Sequence, residues 1–169
     1  MILDGKELDV FIPTENMAIE INGCYWHGMR KDKKLYGPNR NFEDIHLDKL
    51  KLSQDKNITL LQFWDYEINN KTDIVKSMIL HRLKRSHKMY ARSLQIVSCS
   101  NDYICDFMNK SHLQGHRNAS VNYALVKDDH ILAVLNFSKH SKYEWEIIRY
   151  ACKLNYAIIG GFSKLLKRF

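Results

Sequence analysis

Asp9 and Glu20 are the residues whose types and spacing point most directly to chemistry. Both lie in short runs that alternate apolar and polar side chains, which is the pattern of β-strands. The turn residues Pro13-Thr14-Glu15-Asn16 separate the two runs. If those four residues form the loop, Ile12 pairs with Met17 and Asp9 lies directly opposite Glu20. Facing carboxylates repel each other, and a divalent cation that binds carboxylate oxygens removes that repulsion, so the spacing predicts a metal site.

Two further polar residues are expected beside this metal site. Asn22 lies in the same strand as Glu20, and His27 follows the end of that strand. Taken singly, Asp9 and Glu20 are each also explained as acids on the water-facing side of an edge strand. Their predicted pairing favours the metal site over that explanation.

The elements that must position these residues form an alternating pattern. The first half of the chain predicts strands over Glu7–Ile12 and Met17–Asn22, a polar loop over Gly28–Asn41, a helix over Phe42–Lys56, a strand over Ile58–Phe63 and a helix from Thr72 or Asp73 to Leu83. This order predicts an α/β core in which about two helices pack on a small mixed sheet.

The charged and polar run Arg82–Lys88 is the best candidate for a domain boundary, and we expect one domain over residues 1–89 and another over residues 90–169. The second domain predicts strands over Leu94–Ser98, Val121–Val126, Ile131–Phe137 and Glu144–Tyr150, a helix over Asn101–Lys110 capped by Ser100, and a final helix over Lys164–Phe169. Residues 127–130 join the two middle strands as a hairpin.

Charge favours a polyanionic partner. The chain has a net charge of +7 and a pI near 9.2, although a solvated basic surface explains such a balance equally well. Basic residues cluster after the predicted metal site and around the domain boundary, where Arg30, Lys31, Lys33, Lys34, Arg40, Arg82, Lys84 and Arg85 are candidate phosphate contacts.

Cysteine spacing and hydropathy indicate the cellular compartment that we expect for this sequence. The four cysteines show no short-spaced framework, which is typical of reduced thiols in a cytoplasmic protein. No apolar run reaches the length of a membrane span, and the N-terminus is not a signal peptide. We therefore expect a cytoplasmic protein without a membrane partner.

Four segments of the chain resemble a known family. They are Glu7-Leu8-Asp9, Glu20-Ile21-Asn22-Gly23-Cys24-Tyr25-Trp26-His27, Phe42–Lys49 and Ile58–Trp64. Together they resemble phage homing endonucleases of the PD-(D/E)xK superfamily, the relatives of the very-short-patch mismatch repair nuclease that include the EDxHD-type group. The resemblance implies a restriction-endonuclease-like core, double-stranded DNA as substrate, and Mg²⁺ as cofactor with Mn²⁺ as a substitute. In a phage-encoded protein the location would be the host cytoplasm.

The resemblance also implies residue roles. Asp9 and Glu20 would hold the metal with a backbone carbonyl near Asn22, a position at which the superfamily often has lysine. His27 would act as general base or orient the attacking water, and His46 with Lys49 would contact the phosphate. Without the resemblance, the last two residues would fit an ordinary amphipathic helix.

Two features near the site have alternative explanations. Tyr25 and Trp26 match aromatic residues that contact or wedge into DNA in relatives, but they fit a plain core equally well. Cys24 and His27 have a spacing found in zinc sites, yet the chain offers no obvious further ligands, so zinc is not expected.

The second half, from about Tyr90, resembles the beginning of an acetyltransferase-like (GNAT-related) α+β module, through His112-Leu113-Gln114-Gly115 and Gly160–Leu165. The Gly160-Gly161 turn could hold a pyrophosphate at a helix N-terminus, and a tight turn explains it equally well. Family members usually extend beyond both ends of this chain, so the resemblance predicts a truncated form. Two alternatives to a nuclease follow, an inactive DNA-binding remnant and an acyltransferase-type modification protein.

Overall fold

The computed structural model describes Leu3, residues 7–23 and residues 42–169, with only the backbone described for residues 42–46. The chain divides into two compact units, residues 1–71 and residues 72–169. Each unit combines strands and helices, so the protein is of the mixed α/β class. None of the helices in the described part of the chain is long and apolar enough to cross a bilayer.

The first unit is built on a three-stranded sheet of β1 (Val10–Ile12), β2 (Met17–Asn22) and β3 (Thr59–Trp64), in that order. β1 and β2 are antiparallel, and Ile12 pairs with Met17 as the turn chemistry predicts. The turn itself is a short 3-10 helix over Pro13–Glu15, which ends at Asn16 with a left-handed φ of 44°. This φ suits asparagine, since its short side chain tolerates the left-handed region.

A parallel pair completes this sheet, because β3 runs beside β2 with Glu20 opposite Gln62. Parallel neighbours need a crossover connection, and α1 (Phe42–Asp55) lies within that connection, where the sequence predicts a helix. Ala18 of β2 is fully buried and packs in a small core with Leu3 and Ile58, and Leu52 of α1 packs against that core. One face of the sheet, the one that carries Ala18 and Glu20, therefore faces α1.

The helix α2 (Asp65–Asn70) directly follows β3 and is not predicted from the sequence. Its six residues are mostly polar, so they show no apolar periodicity. The Glu67 carboxylate accepts a hydrogen bond from the Trp64 backbone N–H at 2.9 Å, which satisfies a donor at the helix start.

The second unit begins with α3 (Thr72–Arg82), which the sequence assigns to the first domain. Two short strands of the same unit, β4 (His87–Tyr90) and β9 (Tyr156–Ile159), pair in parallel. The Ser77 hydroxyl of α3 accepts a hydrogen bond from the Asn155 N–H at 2.8 Å. These contacts join residues 72–90 to residues 155–159, and both segments belong to the second compact unit.

A four-stranded antiparallel sheet forms the body of the second unit, with β5 (Gln95–Ser98), β6 (Val121–Lys127), β7 (His130–His140) and β8 (Glu144–Cys152) in sequential order. The predicted hairpin between β6 and β7 is confirmed. Asp128 and Asp129 form its tip with φ values of 46° and 59°, the left-handed pair that a tight two-residue hairpin requires.

The two faces of this sheet have separate cores. One face packs Ile104 and Met108 of α4 (Asn101–Ser111) against Ala124 and Val134. The opposite face packs Leu165 of α5 (Gly161–Arg168) into a larger cluster around Leu135. The predicted cap of α4 is present, since the Ser100 hydroxyl accepts a hydrogen bond from the Tyr103 N–H at 3.3 Å.

Candidate active site

Asp9 lies immediately before β1, next to the strand that carries Glu20. The observed pair of Val10 with Ile19 places Asp9 opposite Glu20 when the register is extended by one residue. The Asp9 side chain is exposed, and its Oδ2 accepts a hydrogen bond from the Ile21 N–H at 2.7 Å. The bond holds the carboxylate against β2 at Ile21, the residue that follows Glu20.

Glu20 is a buried carboxylate on the sheet face that packs against α1. Its Oε1 forms an ion pair with the Lys49 ammonium group. Its Oε2 is buried and has no hydrogen-bond partner among the described residues. A buried charged oxygen without a partner is costly, so this atom marks a position at which a cation or a donor from outside the described residues would be stabilising.

The helix α1 brings Lys49 to this face. Leu52, one turn later, packs against the core of the unit, and the fully buried Ser53 donates its hydroxyl to the Lys49 carbonyl at 2.8 Å. The packing of α1 therefore fixes the position of the Lys49 ammonium group beside Glu20. His46 lies one turn before Lys49 in the backbone of α1.

Asn22 and Gln62 continue the same polar patch along the sheet. Asn22 is 5 % exposed, and its Nδ2 donates to Gln62 Oε1 at 3.5 Å. Gln62 lies in β3 opposite Glu20 and is not among the site residues that the sequence predicts. The signal for it was a single polar residue inside the apolar run Leu60–Trp64.

The arrangement has the donor set that a hard divalent cation selects. Asp9 and Glu20 offer carboxylate oxygens, and Asn22 and Gln62 add amide groups on the face that carries Glu20. Across the described residues, no group of three or more His, Cys, Asp or Glu side chains converges. A metal held here would therefore rest on the two acids together with amide, backbone or water oxygens.

Several predicted site residues lie outside the described residues, and their roles stay predictions. They are the general-base candidate, the two aromatic residues and the first basic cluster: His27, Tyr25, Trp26, Arg30, Lys31, Lys33, Lys34 and Arg40. The second basic cluster is described. Arg82, Lys84 and Arg85 are exposed where α3 ends, and they belong to the second unit.

The chain was compared with protein families, curated proteins and solved structures. No protein-family model, no curated protein and no solved structure matches the chain.

Proposed function

We propose that the chain is a Mg²⁺-dependent DNA endonuclease of the PD-(D/E)xK, homing-endonuclease type. The observation that carries the proposal is the buried Glu20 carboxylate, which pairs with Lys49 through one oxygen and whose other oxygen has no partner among the residues that the structure describes. Asp9, held beside it on the neighbouring strand, supplies the second acid. Two acids and a lysine on adjoining elements are the components that metal-assisted phosphodiester hydrolysis needs.

In this proposal Asp9 and Glu20 hold the magnesium ion. The bound ion would polarise the scissile phosphate and lower the pKa of a coordinated water. The ammonium of Lys49 offsets negative charge that develops on the phosphate. Position 22, where the superfamily often has lysine, carries Asn22 here, and Lys49 brings a cation to the same face from α1.

The two histidines have separate roles in the proposal. His27 orients or deprotonates the attacking water, a task that suits the intrinsic pKa of imidazole. His46, one turn before Lys49, contacts the phosphate. The exposed basic residues Arg82, Lys84 and Arg85 contact the DNA backbone without reading its sequence.

A plasmid-nicking assay tests the proposal. Purified full-length protein is incubated with supercoiled DNA and Mg²⁺, Mn²⁺ or a chelator, and Asp9→Asn is compared with wild type. Asparagine keeps an oxygen that can accept from the Ile21 N–H and removes only the charge. We expect a loss of at least about 100-fold in rate, since a metal-site charge contributes several kcal/mol to the transition state.

Asp55→Asn is the matched control, because Asp55 is exposed at the end of α1 and undergoes the same chemical change. Its rate should equal that of wild type. Equal rates for Asp9→Asn and wild type would contradict the mechanism. Salt-sensitive DNA binding without cleavage under any divalent metal would instead identify a DNA-binding remnant.

A further inference from the structure

A row of polar side chains crosses three strands of the second unit. Asn122 of β6 pairs with Asn136 of β7, and Asn136 pairs with Arg149 of β8. Paired residues of antiparallel strands share a face, so these three residues form what we call the polar row. The same face is otherwise apolar where it packs against α4, through Ala124, Val126, Val134 and Ala151.

The amides of the polar row are buried without sufficient partners. Asn136 is 0 % exposed, and within the described part of the chain neither its Nδ2 nor its Oδ1 has a hydrogen-bond partner. Asn122 is 4 % exposed and donates from Nδ2 to Cys99 O and Asn101 Oδ1, but no described residue is a partner for its Oδ1. Because buried amides in folded proteins are nearly always hydrogen-bonded, these atoms point to a partner that the described residues do not provide.

A segment of chain, His112–Arg117, contacts the polar row at Arg149, and we call it the covering segment. The Arg149 guanidinium donates a hydrogen bond to the Gly115 carbonyl. The His116 N–H donates to Asn109 Oδ1 at 2.8 Å. His116 also has a buried Nε2 with no partner in the described part of the chain. The covering segment therefore adds another unsatisfied polar atom, one residue after the Gly115 carbonyl that Arg149 contacts.

The charge around the polar row is positive. No carboxylate within the described residues forms an ion pair with Arg149. Burial and the neighbouring Arg117 both lower the pKa of Arg149, and burial together with Arg149 lowers the pKa of His112. The lowered pKa of His112 favours its neutral form, so the charge here comes from the guanidinium groups of Arg149 and Arg117, and two neighbouring cations favour an anionic ligand.

We propose that the polar row and the covering segment bind the oxyanion of a small molecule, either a carboxylate or a phosphate. Arg149 would pair with the anion, since guanidinium matches both groups geometrically. The unpartnered amide of Asn136 and the imidazole of His116 would complete its hydrogen bonds. Asn136 is fully buried, so we expect the ligand to be small.

Titration of the full-length protein tests this site. Sodium acetate and inorganic phosphate are added separately at constant ionic strength, while NMR follows the side-chain amide signals of Asn122 and Asn136. We expect a saturable shift with at least one of the two anions, and the tighter binder identifies the group. Arg149→Gln should weaken binding by about tenfold or more, as the loss of a charge-assisted bond implies.

Arg168→Gln is the matched control, because it removes the same charge from an exposed position of the same unit. The anion-induced shift of the amide signals in this variant should equal that of wild type. Absence of a saturable shift with either anion, or equal weakening in both arginine variants, would overturn the proposal.

Asn136→Leu keeps the test decisive if Arg149→Gln does not fold. It removes two unpartnered polar atoms from an apolar face, so a ligand site predicts a higher melting temperature together with loss of the anion response. A lower melting temperature with the anion response retained would identify a structural network and contradict the proposal.

Discussion

At the residue scale, the pairing of Glu20 with Lys49 is the central feature of the first unit. Both side chains are mostly buried, with 11 % and 17 % of their surfaces exposed. A buried ion pair depends on both partners, because removal of one leaves the other as an uncompensated charge. The same pair thus contributes to stability as well as to the proposed chemistry.

Lys49→Met tests the stabilising part of this pairing. The variant leaves the buried Glu20 carboxylate unpaired, so we expect the free energy of unfolding to fall by about 2 kcal/mol. Urea denaturation measures the change. Adding Glu20→Gln should recover part of the loss, since the remaining amide carries no charge.

Lys51→Met provides the comparison for Lys49→Met, because Lys51 is exposed two residues later in the same helix. Its stability should lie within about 0.5 kcal/mol of wild type. An equal fall in the free energy of unfolding of both lysine variants would show that the Glu20–Lys49 ion pair makes no specific contribution to stability.

At the element scale, Gly115 is the position at which the covering segment depends most on backbone freedom. Its φ is +69°, and a Cβ there would lie 2.9 Å from Asn109 Oδ1, the atom that accepts from His116. Both the conformation and the lack of space favour glycine.

Gly115→Ala should therefore be more destabilising than Gly160→Ala. Gly160 has a similar φ of +74°, but a Cβ added there would meet nothing within 4 Å, so its substitution carries only the backbone penalty of about 1 kcal/mol. Gly115→Ala adds a clash with a hydrogen-bonded amide, and urea denaturation should show the larger loss. Equal losses would indicate that the Asn109 contact adjusts freely.

Elements with a strong local pattern were predictable from the sequence. The structure contains three elements that the sequence predicts: the β1–β2 turn, α1 and the β6–β7 hairpin. They were predictable because alternation, turn residues and helical periodicity are local signals. The parallel pair of β4 and β9 was missed, since His87–Tyr90 is short and mostly polar and its partner lies far along the chain.

The candidate site was predictable to a lesser extent. Alternation and loop length placed Asp9 opposite Glu20, and the observed register agrees with that placement. The burial of Glu20 and its neighbour Gln62 depend on the parallel pairing of β2 with β3, which no local pattern in the sequence specifies. The polar row likewise depends on the alignment of three strands.

At the scale of the whole molecule, the two units carry different chemistry. The first holds the acids and the lysine of the proposed nuclease centre, and the second holds the exposed Arg82–Arg85 cluster and the polar row. The net charge of +7 is compatible with the polyanionic substrate of the proposed function. The proposed nuclease function nevertheless depends on one carboxylate pair in the first unit.

A single-turnover nicking assay tests most directly whether the proposed nuclease function depends on this carboxylate pair. Wild type and Glu20→Gln are compared on supercoiled DNA across a range of Mg²⁺ concentrations. The account predicts wild-type rates that rise with Mg²⁺ and saturate, and a loss of at least about 100-fold in Glu20→Gln. Thermal unfolding verifies that the variant is folded. A folded Glu20→Gln that nicks DNA at the wild-type rate, or wild-type nicking that persists in chelator, would contradict the account.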